Sequence, residues 1–239
     1  MNGSLAKKTS DLERLLRRVA LEHAPVALAS SLSAEDMVIT DAILRHRLDI
    51  GIFTLDTGRL HADTLNVIAA IRERYGCEVQ VFQPDPASVA EYVASFGRDA
   101  FYESVDLRKR CCHIRKVEPL ERALAGKAAW ITGQRRDQAA TRAEMKIREH
   151  DAARGIVKFN PLADWSENDV WESIRDRNIP YNTLHDQGYR SIGCAPCTRP
   201  TVAGEDVRAG RWWWELNEVR ECGLHLTPDG RLARAKEPA

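Results

Sequence analysis

Short apolar runs alternate with amphipathic stretches through the first 180 residues, and this alternation limits the chain to few architectures. Each run is apolar and often β-branched, as expected for a short buried strand. The five runs are Val26–Ser30, Asp49–Leu55, Glu78–Phe82, Ala128–Thr132 and Ile156–Phe159. Strands that alternate with helices favour a parallel sheet covered on both faces. We therefore predict a doubly wound α/β fold whose mostly parallel sheet has about five to six strands.

Helix signals lie between these strands. Glu35–His46 and His61–Tyr75 are amphipathic, and Gly76 follows the second stretch as a helix C-cap would. Ser166 is placed as the N-cap of a later helix. After about Pro180 the pattern becomes irregular, which predicts an appendage over the edge of the sheet. We expect an N-terminal helical segment (1–25), a main domain (26–205) and a C-terminal tail (206–239).

Charge and hydropathy argue against several classes of protein. Lys+Arg and Asp+Glu both number 35, so the net charge does not indicate a nucleic-acid or membrane-surface binder. The N-terminus lacks the apolar region of a signal peptide, and Asp11, Glu13 and Glu22 interrupt its basic residues. No apolar run has the length of a membrane span. We expect a cytoplasmic protein with no nucleic-acid or membrane partner.

Polar loops follow three of the predicted strands. Ser31 and Ser33 precede a helix and could bind an anion, although an ordinary serine-rich cap has the same pattern. Asp56 and Thr57 could hold a ribose or base, or form an Asx turn that ends at Gly58. The third loop contains three arginines that could bind phosphate or form a solvated charged run: Arg135, Arg136 and Arg142. Because ligands of such folds bind at the carboxyl ends of the strands, the three loops reinforce one another.

Four of the six cysteines form two close pairs, the adjacent Cys111-Cys112 and the C-x-x-C motif of Cys194 and Cys197. Four thiolates suit zinc or an iron–sulfur cluster. Adjacent cysteines diverge, which favours two irons of a cubane over one zinc ion; unligated core thiols are a third reading. Cys77, at the start of a predicted strand, is interpreted as a core thiol.

Cys222 lies in the polar tail, within Glu221-Cys222-Gly223-Leu224-His225. A reactive cysteine needs cationic neighbours and access to solvent, and Arg220 and His225 are close in sequence. An incidental surface thiol would also be consistent with the position alone.

Taken together, these motifs resemble the PP-loop nucleotide-binding fold and, within it, the assimilatory adenylyl-sulfate reductases that contain a 4Fe–4S cluster. The resemblance rests on the Ser31-x-Ser33 loop with Glu35-Asp36, Leu55-Asp56-Thr57-Gly58-Arg59, the arginine loop, the two cysteine pairs and the Cys222 motif. The serine loop is one residue shorter than the family pattern and lacks its glycine. It also lacks the glycine pair of ATP-cleaving PP-loop enzymes.

The resemblance implies reduction of adenosine 5′-phosphosulfate to sulfite and AMP, with Cys222 as the nucleophile, thioredoxin as the electron donor and one 4Fe–4S cluster on Cys111, Cys112, Cys194 and Cys197. We also expect the protein to be a homo-oligomer. The implied substrate contacts are Ser31, Ser33, Leu55, Asp56, Thr57, Gly58, Lys116, Gly133, Arg136, Arg142, Arg208, Arg211 and His225. Lys116 follows the first cysteine pair and is expected to couple the cluster to the substrate. Arg208 and Arg211 are three apart, so they could share one helical face.

Three alternatives remain at this stage. The same chemistry could act on 3′-phosphoadenosine 5′-phosphosulfate, although the cysteine tetrad favours the unphosphorylated substrate by resemblance. A PP-loop tRNA-modifying protein would be expected to have a basic surface, which this neutral chain lacks. A non-enzymatic zinc module would explain the four cysteines but not Cys222.

Overall fold

The computed structural model describes residues 3–215. Its six strands are β1 (Val26–Ala29), β2 (Gly51–Leu55), β3 (Gln80–Phe82), β4 (Ala129–Ile131), β5 (Arg148–Asp151) and β6 (Ile156–Phe159). The α-helices are α1 (Gly3–Glu22), α2 (Ala34–Arg45), α3 (Ala62–Tyr75), α4 (Pro86–Phe96), α5 (Val105–Cys112), α6 (Glu118–Leu124) and α7 (Glu167–Arg177). A π-helical segment, His113–Val117, joins α5 to α6. Short 3₁₀ turns span Ala100–Tyr102, Arg136–Gln138, Ala140–Arg142, Thr183–Gln187 and Ala195–Cys197.

The strands form one sheet in the order β3-β2-β1-β4-β6-β5. All neighbouring pairs are parallel except β5 and β6, which are antiparallel. From β1 the chain adds β2 and β3 on one side, and then places β4 on the other side of β1. The strand order therefore reverses between β1 and β4, and ligands of open α/β sheets bind at such a reversal.

The strand side chains alternate between two hydrophobic clusters. Val26 and Leu28 of β1 belong to the larger cluster, which includes side chains of α1, α2, α3 and α7. Ala27 of β1 and Trp130 of β4 belong to the smaller cluster, which includes α6. Because period-two alternation sends apolar groups to both faces, helices cover both, and the predicted doubly wound fold is confirmed.

The predicted element boundaries are mostly confirmed. Gly76 ends α3 with a φ of 66°, a left-handed conformation that glycine adopts without strain. Ser166 begins α7 in a capping box with Asp169. The sequence analysis missed β5, whose polar side chains lack a buried face. Beyond Asn182 the described chain contains only 3₁₀ turns and isolated bridges, as the irregular pattern predicted. No helix within 3–215 has the length and apolar character needed to cross a membrane.

Candidate functional site

A cavity opens at the carboxyl ends of β1, β2 and β4, where the strand order reverses. Its walls come from the three loops singled out in the sequence, from the π segment and from the irregular C-terminal region. Predicted site residues that line it are Ser31, Ser33, Leu55, Thr57, Lys116, Gly133, Arg142, Arg208 and Arg211. Residues distant in sequence therefore converge on one site.

The loop after β1 has the geometry of an anion cradle. Leu32 has a φ of 62°, so a leucine holds a left-handed conformation in the loop that lacks the family's glycine. Ser33 is the N-cap of α2, yet its side chain makes no capping hydrogen bond. The Ser33 hydroxyl is thus available to a bound anion at the positive end of α2, where the Ala34 N–H donates to His185 Nε2 at 3.4 Å.

Asp36 lies beneath this loop and connects it to the loop after β4. Its Oδ2 accepts hydrogen bonds of 2.6 Å from both the N–H and the hydroxyl of Ser31. A Cβ at Gly133 would lie 2.3 Å from Asp36 Oδ1, so only glycine fits there. Burial raises the pKa of Asp36 to about 6, since the hydrogen bonds compensate only part of the lost hydration.

The loop after β2 contacts the cysteine region. Asp56 Oδ1 accepts a 2.9 Å hydrogen bond from the Gly58 N–H, which is the Asx turn considered from the sequence. The Thr57 hydroxyl lies 3.2 Å from Cys194 Sγ, and the Thr57 carbonyl accepts a 2.7 Å bond from Arg115. Asp56 and Gly58 shape this loop without lining the cavity.

The three arginines of the loop after β4 have different partners. Arg135 is buried and pairs with Glu35 at 2.9 Å. Arg136 donates to the Met145 carbonyl and pairs with Asp164. Arg142 lines the cavity and donates to Gln138. Arg136 is not among the residues that line the cavity, and its predicted substrate contact stays a prediction.

Two further cations come from the irregular C-terminal region. Arg208 and Arg211 belong to a turn, in which the Arg211 N–H donates to the Arg208 carbonyl at 2.9 Å. The expectation that they share a helical face is wrong, because the chain forms no helix there. The Arg211 guanidinium packs against Gly193, where a Cβ would lie 2.4 Å from Nη2. It also donates to the Ile192 carbonyl at 3.0 Å. These contacts fix its position beside Cys194.

The π segment places Lys116 between two cavities. π-Helical turns are rare in proteins, and those that occur are often at functional sites. The extra residue in the turn shifts the side chains that follow it. Cys111 and Cys112 end α5 immediately before this segment, and Arg115 and Lys116 lie within it. Lys116 lines both the cavity at the strand ends and a smaller one at the cysteines. The predicted proximity of Lys116 to the cysteines is therefore present.

The four predicted ligand cysteines surround that smaller cavity. All four are free thiols, and three of them are buried together with Phe101 and Trp212. Burial and the neighbouring Cys194 raise the pKa of the Cys197 thiol to about 12. For Cys194, burial is outweighed by Lys116 and by the Thr57 hydrogen bond, which lower its pKa. Buried thiolates repel one another, so the ionised forms of these cysteines favour a positively charged partner.

Among residues 3–215, no group of three or more His, Cys, Asp or Glu side chains is arranged to hold a single metal ion. Cys77 is only partly buried and packs against the large core cluster, away from these four. Cys222 and His225 lie outside the described residues.

Several lining residues were not predicted as site residues: Glu35, Trp130, Gln134 and Arg190. Gln134 follows the already identified Gly133, so the position of the strand end could have indicated it. Arg190 gave no such signal, because it is in the irregular region and pairs with Glu167 at 2.6 Å.

Comparisons with known proteins agree with this site. A family model described as the phosphoadenosine phosphosulfate reductase domain matches residues 25–200, and the chain belongs to this family. Within the family it groups with proteins named adenosine 5′-phosphosulfate reductase. It is 58% identical to the one from Burkholderia cepacia, over 95% of this chain and 91% of that protein. It is 58% identical to the one from Neisseria meningitidis serogroup A, over 94% and 93%.

A solved structure supports the fold. Phosphoadenylyl-sulfate reductase from Candida auris, in a phosphate complex, aligns with a TM-score of 0.69 at 24% identity. The alignment covers 83% of this chain and 98% of that one. The resemblance seen in the sequence is thereby confirmed for the family and for the fold.

Proposed function

We propose that this chain reduces adenosine 5′-phosphosulfate to sulfite and AMP, with electrons from thioredoxin. The observation that carries the proposal is the position of Lys116, which lines both the cavity at the strand ends and the cavity between the four cysteines. An enzyme that cleaves an S–O bond of a phosphosulfate needs fixed cations at the anionic groups. The names of the similar reductases supply the substrate.

The cradle and the cations divide the substrate between them. Ser33 and the start of α2 bind one anionic group, and the apolar wall that includes Leu55 and Trp130 accepts the base. Lys116, Arg142, Arg208 and Arg211 bind the phosphosulfate. These cations stabilise the charge that grows on the AMP phosphate as the bond to sulfur breaks.

Cys222 carries out the covalent step. Its thiolate attacks the sulfur of the sulfate group, the S–O bond to the phosphate breaks, and the electron pair leaves with AMP. The product is a cysteine S-sulfonate. One thiolate of reduced thioredoxin then attacks Cys222 Sγ and releases sulfite, and its second thiol resolves the mixed disulfide. The dithiol is oxidised to a disulfide and the sulfur that leaves is reduced by two electrons.

A 4Fe–4S cluster fits the four cysteines better than one metal ion does. Each iron of a cubane takes one protein thiolate, so its ligands stand further apart than those of a single zinc. Cys111, Cys112, Cys194 and Cys197 would hold the cluster, and its iron–thiolate bonds would offset part of the charge of the buried sulfurs. The protein's part is to donate from Thr57 to Cys194 and to hold Arg115 and Lys116 beside the sulfurs.

The covalent step has a direct test. Enzyme mixed with adenosine 5′-phosphosulfate and no thioredoxin should release one equivalent of AMP and gain the mass of one sulfonate, mapped to the Cys222 peptide. Cys222→Ser should form no adduct, because a serine hydroxyl is barely ionised at neutral pH. Cys77→Ser is the matched control and should react normally. AMP release by Cys222→Ser, or sulfonate on Cys77, would contradict the assignment.

The cluster and the choice of substrate are tested separately. Anaerobically purified protein should be brown and contain about four irons per chain. Cys194→Ser should lose iron and absorbance together, and a colourless zinc protein would contradict the cluster. Turnover of the 3′-phosphorylated substrate should be slower than that of adenosine 5′-phosphosulfate at equal concentration; equal turnover would remove the proposed preference.

A further inference from the structure

A buried polar network borders the cavity on the β6 side. Lys158 lies in the middle of β6, opposite Trp130 of β4 and Glu149 of β5. Its side chain is only 12% exposed, and its Nζ lies 5.7 Å from the centre of the Trp130 ring. A lysine in a buried strand is costly unless its charge has partners. The burial of Lys158 therefore suggests that its hydrogen-bonding partners have a functional role.

Each hydrogen bond of this network has a fixed direction. Lys158 Nζ donates to Gln134 Oε1 at 2.8 Å and lies 3.4 Å from Glu149 Oε2. Glu149 Oε2 also accepts a 2.9 Å bond from Asn160 Nδ2. Asn160 Oδ1 in turn accepts a 2.7 Å bond from the Thr132 hydroxyl. An ammonium can only donate, so the atom of Gln134 that faces Lys158 must be the amide oxygen.

The nitrogen of the Gln134 amide is not used by Lys158. Gln134 lines the cavity and is 8% exposed. Its Nε2 makes no hydrogen bond with any residue in 3–215. Nor is Nε2 among the fully buried side-chain atoms of that range that lack a hydrogen-bond partner. Gln134 therefore has two N–H donors without a partner among residues 3–215, and it lines the same cavity as Trp130.

We propose that Gln134 is a specificity-determining residue that donates from Nε2 to a ring nitrogen of the adenine, and that Lys158 is the positioning residue that fixes the amide. This inference rests on the proposed function. A freely rotating amide presents an oxygen as often as a nitrogen, whereas Lys158 permits only the donor. The apolar Trp130 face on the same wall suits a base rather than a phosphate.

The test measures binding of AMP, so it does not depend on turnover. Gln134→Met, which keeps the side-chain length and removes the donor, should weaken AMP binding roughly three- to tenfold. Lys158→Met should weaken it by a similar factor, while Lys158→Arg, which also only donates, should retain affinity. Lys127→Met, a lysine that does not line the cavity, should bind as the wild type does. Unfolding midpoints show whether each variant is folded.

Deaza nucleotides identify the acceptor. Replacing the paired ring nitrogen by C–H in 1-deaza-, 3-deaza- or 7-deaza-AMP should weaken binding to the wild type. That analogue should bind Gln134→Met no more weakly than AMP does. The double variant Lys158→Met/Gln134→Met should bind AMP as Gln134→Met does, because the two residues act through one contact.

The outcomes separate the two proposals. A wild-type protein that binds no AMP would contradict the proposed function. Two results would overturn only the assignment of Gln134. One is wild-type affinity for AMP in a folded Gln134→Met variant. The other is that Gln134→Met lowers the affinity for AMP and for all three analogues by the same factor. If Lys158→Met weakens binding further in the Gln134→Met background, Lys158 does not act through Gln134.

Discussion

Single side chains in this protein serve two neighbours at once. Lys116 lines the cavities at the strand ends and at the cysteines. Asp36 holds Ser31 of one loop and leaves room only for Gly133 of another. Substitutions of Lys116 and of Asp36 should therefore affect substrate binding or turnover, and each is tested below.

Lys116→Ala should keep the iron content and lower kcat/KM roughly 10- to 100-fold, because a charge-assisted contact to the phosphosulfate is lost. The control is Lys109→Ala, which removes an exposed lysine of α5 and should leave the reaction unchanged. Iron analysis and steady-state kinetics check both. Normal kinetics in Lys116→Ala would mean that the lysine does not contact the substrate.

Asp36 predicts a pH dependence of binding. Burial raises its pKa to about 6 from 3.8, so the carboxyl becomes neutral as the pH falls through about 6. A bound anion favours the neutral carboxyl further, so binding takes up a proton and affinity should rise as the pH falls. Calorimetry with adenosine 5′-phosphosulfate and Cys222→Ser protein avoids turnover. The dependence should flatten in Asp36→Asn and persist in Asp106→Asn; an unchanged profile in Asp36→Asn would exclude Asp36 as its origin.

At the scale of elements, two N-cap serines illustrate different roles. The Ser166 hydroxyl accepts a 3.2 Å bond from the Asp169 N–H in α7, whereas the Ser33 side chain makes no capping bond in α2. Both cap residues have extended backbones. The local geometry is therefore similar. The difference is that the Ser166 hydroxyl accepts a bond from its own helix, whereas the Ser33 hydroxyl does not.

Ser166→Ala should lower the free energy of unfolding by about 1 kcal/mol and leave AMP affinity unchanged. Ser33→Ala should do the reverse, with little loss of stability and weaker AMP binding. Urea unfolding and calorimetry on the two variants provide each other's control. A stability loss in Ser33→Ala equal to that in Ser166→Ala would show that Ser33 is only a structural cap.

The sequence predicted elements well where burial imposed a period. β1, β2, β4 and β6 are apolar and were found, whereas β5 reads Arg-Glu-His-Asp and is stabilised by pairing with β6 rather than by burial. Lys158 within an otherwise apolar strand was the missed signal for the polar network. The roles of Arg135 and Arg136 were not predictable, because their partners, Glu35 and Asp164, are distant in sequence.

At the scale of the whole molecule, the cysteine region joins distant parts of the chain through a buried ion pair. Arg108 of α5 is fully buried and donates to Glu215 at 2.6 Å. Its guanidinium also lies 4.6 Å from the centre of the Trp212 ring. This pair holds the C-terminal region against the helix that carries Cys111 and Cys112.

Arg108→Met should destabilise the protein by about 3–5 kcal/mol, since it leaves the Glu215 carboxylate buried without this cation. Arg72→Met removes a pair with Glu78 in which both side chains are 71% exposed, and should cost less than about 1 kcal/mol. Chemical unfolding compares the two, and iron analysis should show reduced occupancy only in Arg108→Met. Equal stability losses would mean that burial of the pair is energetically unimportant.

The strand order also has a consequence for biosynthesis. A chain leaves the ribosome from its N-terminus, so α1 to β3 can assemble while the rest is still being made. Cys111 and Cys112 emerge next, but Cys194 joins the sheet region through its bridge to Leu60, and Trp212 covers the thiols later still. During translation, more than eighty further residues must be synthesised after Cys112 before Cys194 can cover the adjacent thiols. The cysteine region is the last part of the described fold to close, and the thiols of a nascent chain are most vulnerable to oxidants just before it does.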